Sequence, residues 1–174
     1  MASDLSAPID TTDHVRGERG GRHLVIYGDF ECPYTAQATH EIARLAERGV
    51  AFEVVFRYFP LVEIHPHALA AARAAEAAAR QDRFWEMHDL LFRNQAHLEA
   101  GDLARYAKRL GLDPARFEAD QGDPATVARI QRDVESGIES GVEGTPTLFI
   151  DGRRYEGSRD ADSLATALGA ARAQ

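Results

Sequence analysis

The sequence predicts an α/β domain that is interrupted by an all-helical insertion. An apolar run at 23–30, a helical stretch and a second apolar run at 50–60 follow one another, and this order is typical of a parallel βαβ unit. Residues 66 to about 140 have the apolar spacing of helices throughout. After Gly144 the period of two returns, which indicates that the chain re-enters the sheet.

Local signals mark the ends of the first strands and the first helix. The stretch DHVRGERGGR at 13–22 predicts a short edge strand and a Gly-rich turn. Gly28 and Asp29 end the first buried strand, and Gly49 ends the helix at the position that favours glycine. Pro60 ends the second strand.

The helical block carries its own start signals. Pro66 lies near the first position of an Ala-rich helix, and Asp82 and Asp102 are predicted N-caps. Two later helices begin with Asp-Pro pairs at 113 and 123, where a cap precedes a proline in the first turn.

These signals divide the chain into a sheet domain at 12–60 and 142–174 and an inserted helical domain at 61–141. Within the second sheet segment, Asp151-Gly152 predicts a hairpin turn, and a terminal helix follows it. Residues 1–11 are polar and predict a flexible arm.

Composition excludes some classes of function. The 174 residues carry a formal net charge of −8, which argues against a nucleic-acid partner because that binding needs a basic surface. No stretch approaches the apolar run of a membrane helix, so membrane insertion is not expected. The first residues lack the apolar core of a secretory signal. One cysteine permits no internal disulfide, so a reducing, cytoplasmic setting is expected.

That cysteine, Cys32, lies where the first buried strand turns into a helix. Free amides and the dipole at a helix N-terminus favour a thiolate, and thiols in such places have pKa values of ~3.5–7.5 instead of ~8.5. Pro33 suits the first turn because its missing N–H would have no partner there. A lone cysteine is often a small buried apolar residue, but the strand-to-helix setting favours a nucleophile.

The chain resembles a known family in five stretches, which run in the family's order and cover nearly all of the chain after residue 12. They are DHVRG, LVIYGDFECPYT, FRYFPL with IHPHA, FWEMHDLLF, and GVEGTPTLFIDG. The family is the DsbA-like branch of the thioredoxin-fold thiol–disulfide oxidoreductases. The resemblance implies a thioredoxin-like fold, in which helices flank a central mixed sheet, with an inserted all-helical domain.

The resemblance also implies the site residues. Cys32 is the expected nucleophile, and Thr145–Pro146 is the expected cis pair that faces it. Backbone beside such a proline can pair with an extended substrate as an added strand, so we assign Pro33, Tyr34, Thr145 and Pro146 to substrate binding.

Two departures from the family pattern concern the second thiol. The family usually has Cys-x-x-Cys, but the fourth position here is Thr35. Many members carry an acidic residue six positions before the nucleophile, where this chain has Ile26. The absence of the second thiol is consistent with the absence of the acid. A buried carboxylate would cost desolvation energy and would have no second thiol to serve. Thr35 either donates a hydrogen bond to the Cys32 thiolate or fills the volume of the missing thiol, and both readings stay open.

Other polar residues near the motif are given structural roles. Zinc sites need about four ligands, so we expect no metal at His65 and His67. His88 is expected to pack in the core, and Asp29 and Glu31 would oppose a thiolate if their charges lay close to it.

Three functions compete on this evidence. The first is a monothiol oxidoreductase that exchanges with protein or small-molecule thiols and disulfides, without a cofactor but with glutathione as a possible co-substrate. The second is a non-catalytic peptide-binding module, of adaptor or chaperone type. The third is a thiol redox sensor.

Overall fold

The centre of the molecule is a five-stranded mixed sheet, seen in a computed structural model that describes residues 4–169. The strand order is β1-β3-β2-β4-β5. Strands β2 and β3 are parallel, as the βαβ pattern predicted, and the other neighbours are antiparallel. The strands are β1 His14–Gly17, β2 Arg22–Gly28, β3 Phe52–Tyr58, β4 Thr147–Ile150 and β5 Arg153–Tyr155.

Helices connect these strands, and five of those described lie between β3 and β4. The helices are α1 Pro33–Glu47, α2 Ala68–Ala79, α3 Phe84–Arg93, α4 Ala100–Arg109, α5 Pro114–Gly122, α6 Pro124–Glu139 and α7 Ala161–Ala167. The predicted hairpin turn is present, because Asp151 and Gly152 adopt φ values of 48° and 80°, which two-residue hairpin loops favour.

Alternation along β2 gives the sheet two buried faces. Leu24 and Ile26 belong to the larger apolar core, which also includes the inner residues of α1, α2 and α7. Val25 and Tyr27 point to the opposite face. There α6 packs so closely that a Cβ on Gly137 would lie 2.8 Å from the Phe59 ring.

Two predicted helix caps were wrong. Helix α3 begins after Arg83, which is its N-cap. Asp82 lies in the turn that follows α2 and has a left-handed backbone conformation with φ 59°. Helix α4 begins one turn earlier than Asp102 indicated, since Glu99 is the N-cap and exchanges hydrogen bonds with Asp102 in a capping box. The Asp-Pro starts of α5 and α6 are confirmed by Asp113 and Asp123, whose side chains accept backbone hydrogen bonds.

The described part of the predicted flexible arm lies against the sheet and α6. The Leu5 amide donates to Gly152 at 2.8 Å, and the Ser6 side chain bonds to the end of α6. Leu5 and Ile9 pack on the second face of the sheet. The polar composition predicted a free arm. It could not reveal these contacts, because their partners lie more than 100 positions away in the sequence. Residues 1–3, and the predicted end of the terminal helix at 170–174, lie outside the described residues.

Candidate active site around Cys32

Cys32 is the N-cap residue of α1, at the carboxyl end of β2. Its side chain makes no capping hydrogen bond to the helix, and Pro33 brings no N–H. The amides of Tyr34 and Thr35 lie in the first turn of α1, where backbone donors have no partner within the helix. Cys32 is 3% exposed, so little of the residue faces solvent.

Thr35 lies on the first turn of α1 and is fully buried. A Cβ on Gly28 would lie 2.8 Å from Thr35 Cγ2 and 2.6 Å from the Phe56 ring, so the threonine methyl fills this corner of the core. Thr35 Oγ1 accepts a hydrogen bond from the Asp29 amide at 3.4 Å. The hydroxyl thus serves the backbone that precedes the cysteine.

The two carboxylates beside Cys32 are both engaged by the loop after β3. Buried Asp29 accepts hydrogen bonds from the Leu61 amide and from the Glu31 amide, and it pairs with His65 Nδ1 at 2.8 Å. Glu31 pairs with the His67 ring at 3.1 Å and also accepts from the His67 amide. These histidines therefore orient the two carboxylates, which were expected to oppose a thiolate if their charges lay close to it.

A side chain from the helical insertion also reaches this turn. Gln95, in the connection between α3 and α4, donates from Nε2 to the carbonyls of Phe30 and Cys32 at 2.8 and 3.0 Å. No local pattern in the sequence points to Gln95, and the pairing of His65 with Asp29 was missed as well. Both join residues that are more than 30 positions apart.

The Thr145–Pro146 peptide bond is cis, which is the isomer that the resemblance implied. The Cys32 thiol donates to the Thr145 carbonyl at 3.4 Å, so the structure brings these two predicted residues together. Pro146 is buried at the start of β4, and Arg159 donates to its carbonyl at 3.3 Å.

Apolar side chains are exposed around the cysteine. Tyr34 is 64% exposed on the first turn of α1, and Val62 and Ile64 are exposed in the loop that Asp29 holds. Pro33 is also exposed. This surface suits an extended partner with apolar side chains.

The core beneath the site is apolar where the family often has an acid. Ile26 is 1% exposed and pairs across the sheet with Phe56. Nearby, His88 packs among aromatic rings, and burial lowers its pKa. Burial opposes ionisation of its neighbour Asp89, but hydrogen bonds from His88 and Arg16 outweigh this and lower the Asp89 pKa to about 2.

Residues 4–169 contain no group of three or more His, Cys, Asp or Glu side chains able to hold a metal. Within the same range, none of the helices is both long enough and apolar enough to cross a membrane.

The chain belongs to the thioredoxin family, since the family model described as thioredoxin matches residues 10–170. It is similar to a thioredoxin-like oxidoreductase from Silicibacter pomeroyi, with 25% identity, a TM-score of 0.82 and 92% of each chain covered. It is also similar to DsbA2 of Pseudomonas aeruginosa, with 25% identity and a TM-score of 0.73 over 92% of this chain and 95% of that one. The fold is thus that of DsbA-type thiol–disulfide oxidoreductases with a helical insertion.

Relatives with higher sequence identity are named as antiporters and not as oxidoreductases. The chain is 46% identical over 167 residues to the Na(+)/H(+) antiporter NhaA 3 of Salinispora tropica, and this match covers 95% of the chain. The chain spans about a quarter of that relative's length, 26%.

Proposed function

We propose that the protein catalyses thiol–disulfide exchange through one nucleophilic cysteine, acting on protein or glutathione mixed disulfides. The observation that carries the proposal is the contact of Cys32 with the carbonyl before cis Pro146, while buried Thr35 occupies the place of a second thiol. A one-thiol site needs an external thiol to complete a turnover. A reducing, cytoplasmic location belongs to the same proposal.

The exchange has two balanced steps. The Cys32 thiolate attacks the glutathione sulfur of a protein–glutathione disulfide, a Cys32–glutathione disulfide forms, and the protein leaves as a thiolate that takes up a proton. A glutathione thiolate then attacks the bound glutathione sulfur, which releases glutathione disulfide and restores the Cys32 thiolate. The net reaction uses one glutathione and transfers the disulfide from the protein to glutathione.

A polar cleft of about 370 Å³ beside Pro146 supports glutathione as the co-substrate. Its lining includes Arg154 and Arg159, with Glu156 4.0 Å from Arg154. Guanidinium groups bind carboxylates well, and glutathione carries two of them. The cleft is lined by Pro146, the residue that follows the Thr145 carbonyl contacted by the Cys32 thiol.

The test is turnover of a glutathionylated peptide with glutathione, measured as glutathione disulfide by coupling to glutathione reductase. We expect wild-type protein to turn over many equivalents and Cys32→Ser to show the uncatalysed rate. Formation of one equivalent of Cys32–glutathione disulfide without further turnover would refute catalysis.

A second candidate is a thiol redox sensor or peptide-binding module that works beside an Na(+)/H(+) antiporter. It is favoured by the 46% identity to an antiporter, compared with 25% to the oxidoreductase structures. In the turnover test, this candidate predicts that one equivalent of glutathione modifies Cys32 and is then released only slowly.

A further inference from the structure

The carboxamide of Gln95 joins the helical insertion to the turn that carries the cysteine. Its Nε2 atom donates to the Phe30 carbonyl at 2.8 Å and to the Cys32 carbonyl at 3.0 Å. A carboxamide nitrogen has two hydrogens, so both are used on this turn. The two carbonyls flank Glu31, and the contact spans 63 positions to Cys32.

The connection that holds Gln95 is well braced. The neighbouring Asn94 side chain donates to the Leu90 carbonyl at 2.7 Å, and the His97 amide donates to the Asn94 carbonyl at 2.8 Å. Tyr106 of α4 donates to the His97 carbonyl at 2.7 Å, and Leu98 is 2% exposed. Gln95 is therefore presented from a fixed backbone.

We propose that Gln95 is a positioning residue for the Cys32 nucleophile, an inference that rests on the proposed function of Cys32. The Cys32 amide donates to the backbone carbonyl of Asp29 at 3.1 Å, and the Cys32 carbonyl accepts the first helical bond from the Ala36 amide at 3.1 Å. The Gln95 bonds add a third restraint, which comes from the helical insertion. Together these bonds fix the backbone from which the Cys32 side chain projects at the N-terminus of α1, and a helix N-terminus favours a negative charge.

Without the carboxamide, the turn gains freedom and the two carbonyls lose a donor. The thiolate form then loses part of its stabilisation, while the neutral thiol, which donates to Thr145, is affected less. The effect of Gln95 should therefore appear in the pH dependence of Cys32 reactivity.

The experiment is alkylation of Cys32 by iodoacetamide as a function of pH, in folded wild-type protein and in Gln95→Met. Methionine has nearly the same length as glutamine but donates no hydrogen bond. We expect the pH midpoint of the alkylation rate to rise by about half a unit, which is roughly a threefold loss of thiolate below the midpoint. Gln81→Met is the matched control, because Gln81 bonds the Asp113 backbone in the same insertion, and its midpoint should equal that of wild type.

An unchanged midpoint in folded Gln95→Met would overturn the positioning role and leave the proposed function intact. A folded wild-type protein whose Cys32 does not react would overturn both. If Gln95→Met fails to fold, Gln95→Asn decides the question, because its shorter side chain keeps an amide but does not span both carbonyls. We then expect a smaller rise in the midpoint, and no rise at all would overturn the proposal.

Discussion

Thr35 puts a methyl group and a hydroxyl where the family usually has a second thiol, and the two groups act separately. The methyl packs between Gly28 and Phe56, and the hydroxyl accepts from the Asp29 amide. This geometry supports the reading in which Thr35 fills volume and braces the turn. It does not show the hydroxyl bonded to the sulfur, whose partner is the Thr145 carbonyl.

Thr35→Val separates the two readings of this residue. Valine keeps the shape but removes the acceptor for the buried Asp29 amide, so we expect a loss of about 1 kcal/mol in the free energy of unfolding. The pH midpoint of Cys32 alkylation should stay at the wild-type value. A raised midpoint would instead show that the hydroxyl supports the thiolate, either directly or through the turn that it braces. Urea unfolding and iodoacetamide kinetics on the same sample measure both quantities.

Thr35→Cys tests whether the site lacks only the second thiol. Positions 32 and 35 lie on one face of the first turn, at a separation that suits a disulfide without large backbone movement. We expect glutathione disulfide to form a mixed disulfide with Cys32, and the new thiol to displace the glutathione as an internal disulfide forms. Mass spectrometry would then detect no bound glutathione. We expect exchange of this internal disulfide with a dithiol to be slow. Thr35→Ser, which offers no second thiol, should keep the mixed disulfide. A Thr35→Cys protein that also keeps it would contradict the prediction.

At the scale of elements, helix α3 places a buried histidine against the sheet. The His88 ring packs against Phe30, Phe56 and Phe92, and its Nδ1 atom is 2.9 Å from Asp89. Burial lowers the His88 pKa. Because the folded-state pKa lies below the unfolded value of ~6.5, the unfolded chain binds the proton more readily. The contribution of His88 to stability is therefore complete above about pH 6.5 and is lost as the pH falls below it.

His88→Phe should remove this part of the acid sensitivity. Between about pH 6.5 and pH 5, the unfolding free energy of wild type should fall relative to that of the variant, by at most ~1.4 kcal/mol per pH unit for one proton. Urea unfolding at several pH values measures the difference. His40→Gln is the control, since His40 is exposed and should leave the wild-type dependence unchanged. Parallel curves for wild type and His88→Phe would refute the assignment.

The elements themselves were readable because their signals are local. The apolar run of β2, the Asp151-Gly152 turn and the Asp-Pro starts of α5 and α6 each depend on neighbours within a few positions. The caps at Asp82 and Asp102 were misplaced by one to three positions. A carboxylate near a helix start fits the cap, the third position or the preceding turn equally well by composition.

At the scale of the whole molecule, one buried arginine ties the beginning of the chain to the sheet. Arg57 of β3 is fully buried and donates to both Asp13 oxygens, to the carbonyls of Ala7 and Pro8, and to the Tyr27 hydroxyl. Burial opposes ionisation of Asp13, but the hydrogen bonds from Arg57 outweigh it and lower the Asp13 pKa. The segment from Asp4 to Asp13 is therefore part of the fold.

Arg57→Met should destabilise the protein strongly, because it removes a buried guanidinium that donates to a buried carboxylate and to two carbonyls. Breaking one partner of a buried ion pair costs about 3–5 kcal/mol, and thermal unfolding measures this loss. The matched control is Arg48→Met, whose partner Asp162 is largely exposed, so its change should stay below about 1 kcal/mol. An Arg57→Met protein as stable as the control would show that the segment contributes little.

Long-range contacts are what sequence patterns did not contain. The cysteine, the proline pair and the helical insertion followed from motifs and from the family resemblance. The attachment of residues 4–13, the pairing of Asp29 with His65 and the reach of Gln95 depend on side chains brought together from separate elements. The identity of a polar residue does not reveal such a partner, because its side chain can form hydrogen bonds with water as well as with the protein.

The contact between Cys32 and Thr145 spans 113 positions. Cys32 is therefore synthesised well before the residue that its thiol contacts in the folded protein. At ~5–20 residues per second, the ribosome needs roughly 6 to 23 seconds to make Thr145 after Cys32. In that interval β4 is missing from its place beside β2, and the cysteine has no partner carbonyl. Until Thr145 has been made, Cys32 therefore lacks the carbonyl to which its thiol donates in the folded protein. Stalled chains that end before Thr145 should therefore be alkylated like an unfolded thiol, with a midpoint near ~8.5, and a lower midpoint in such chains would contradict this order of events.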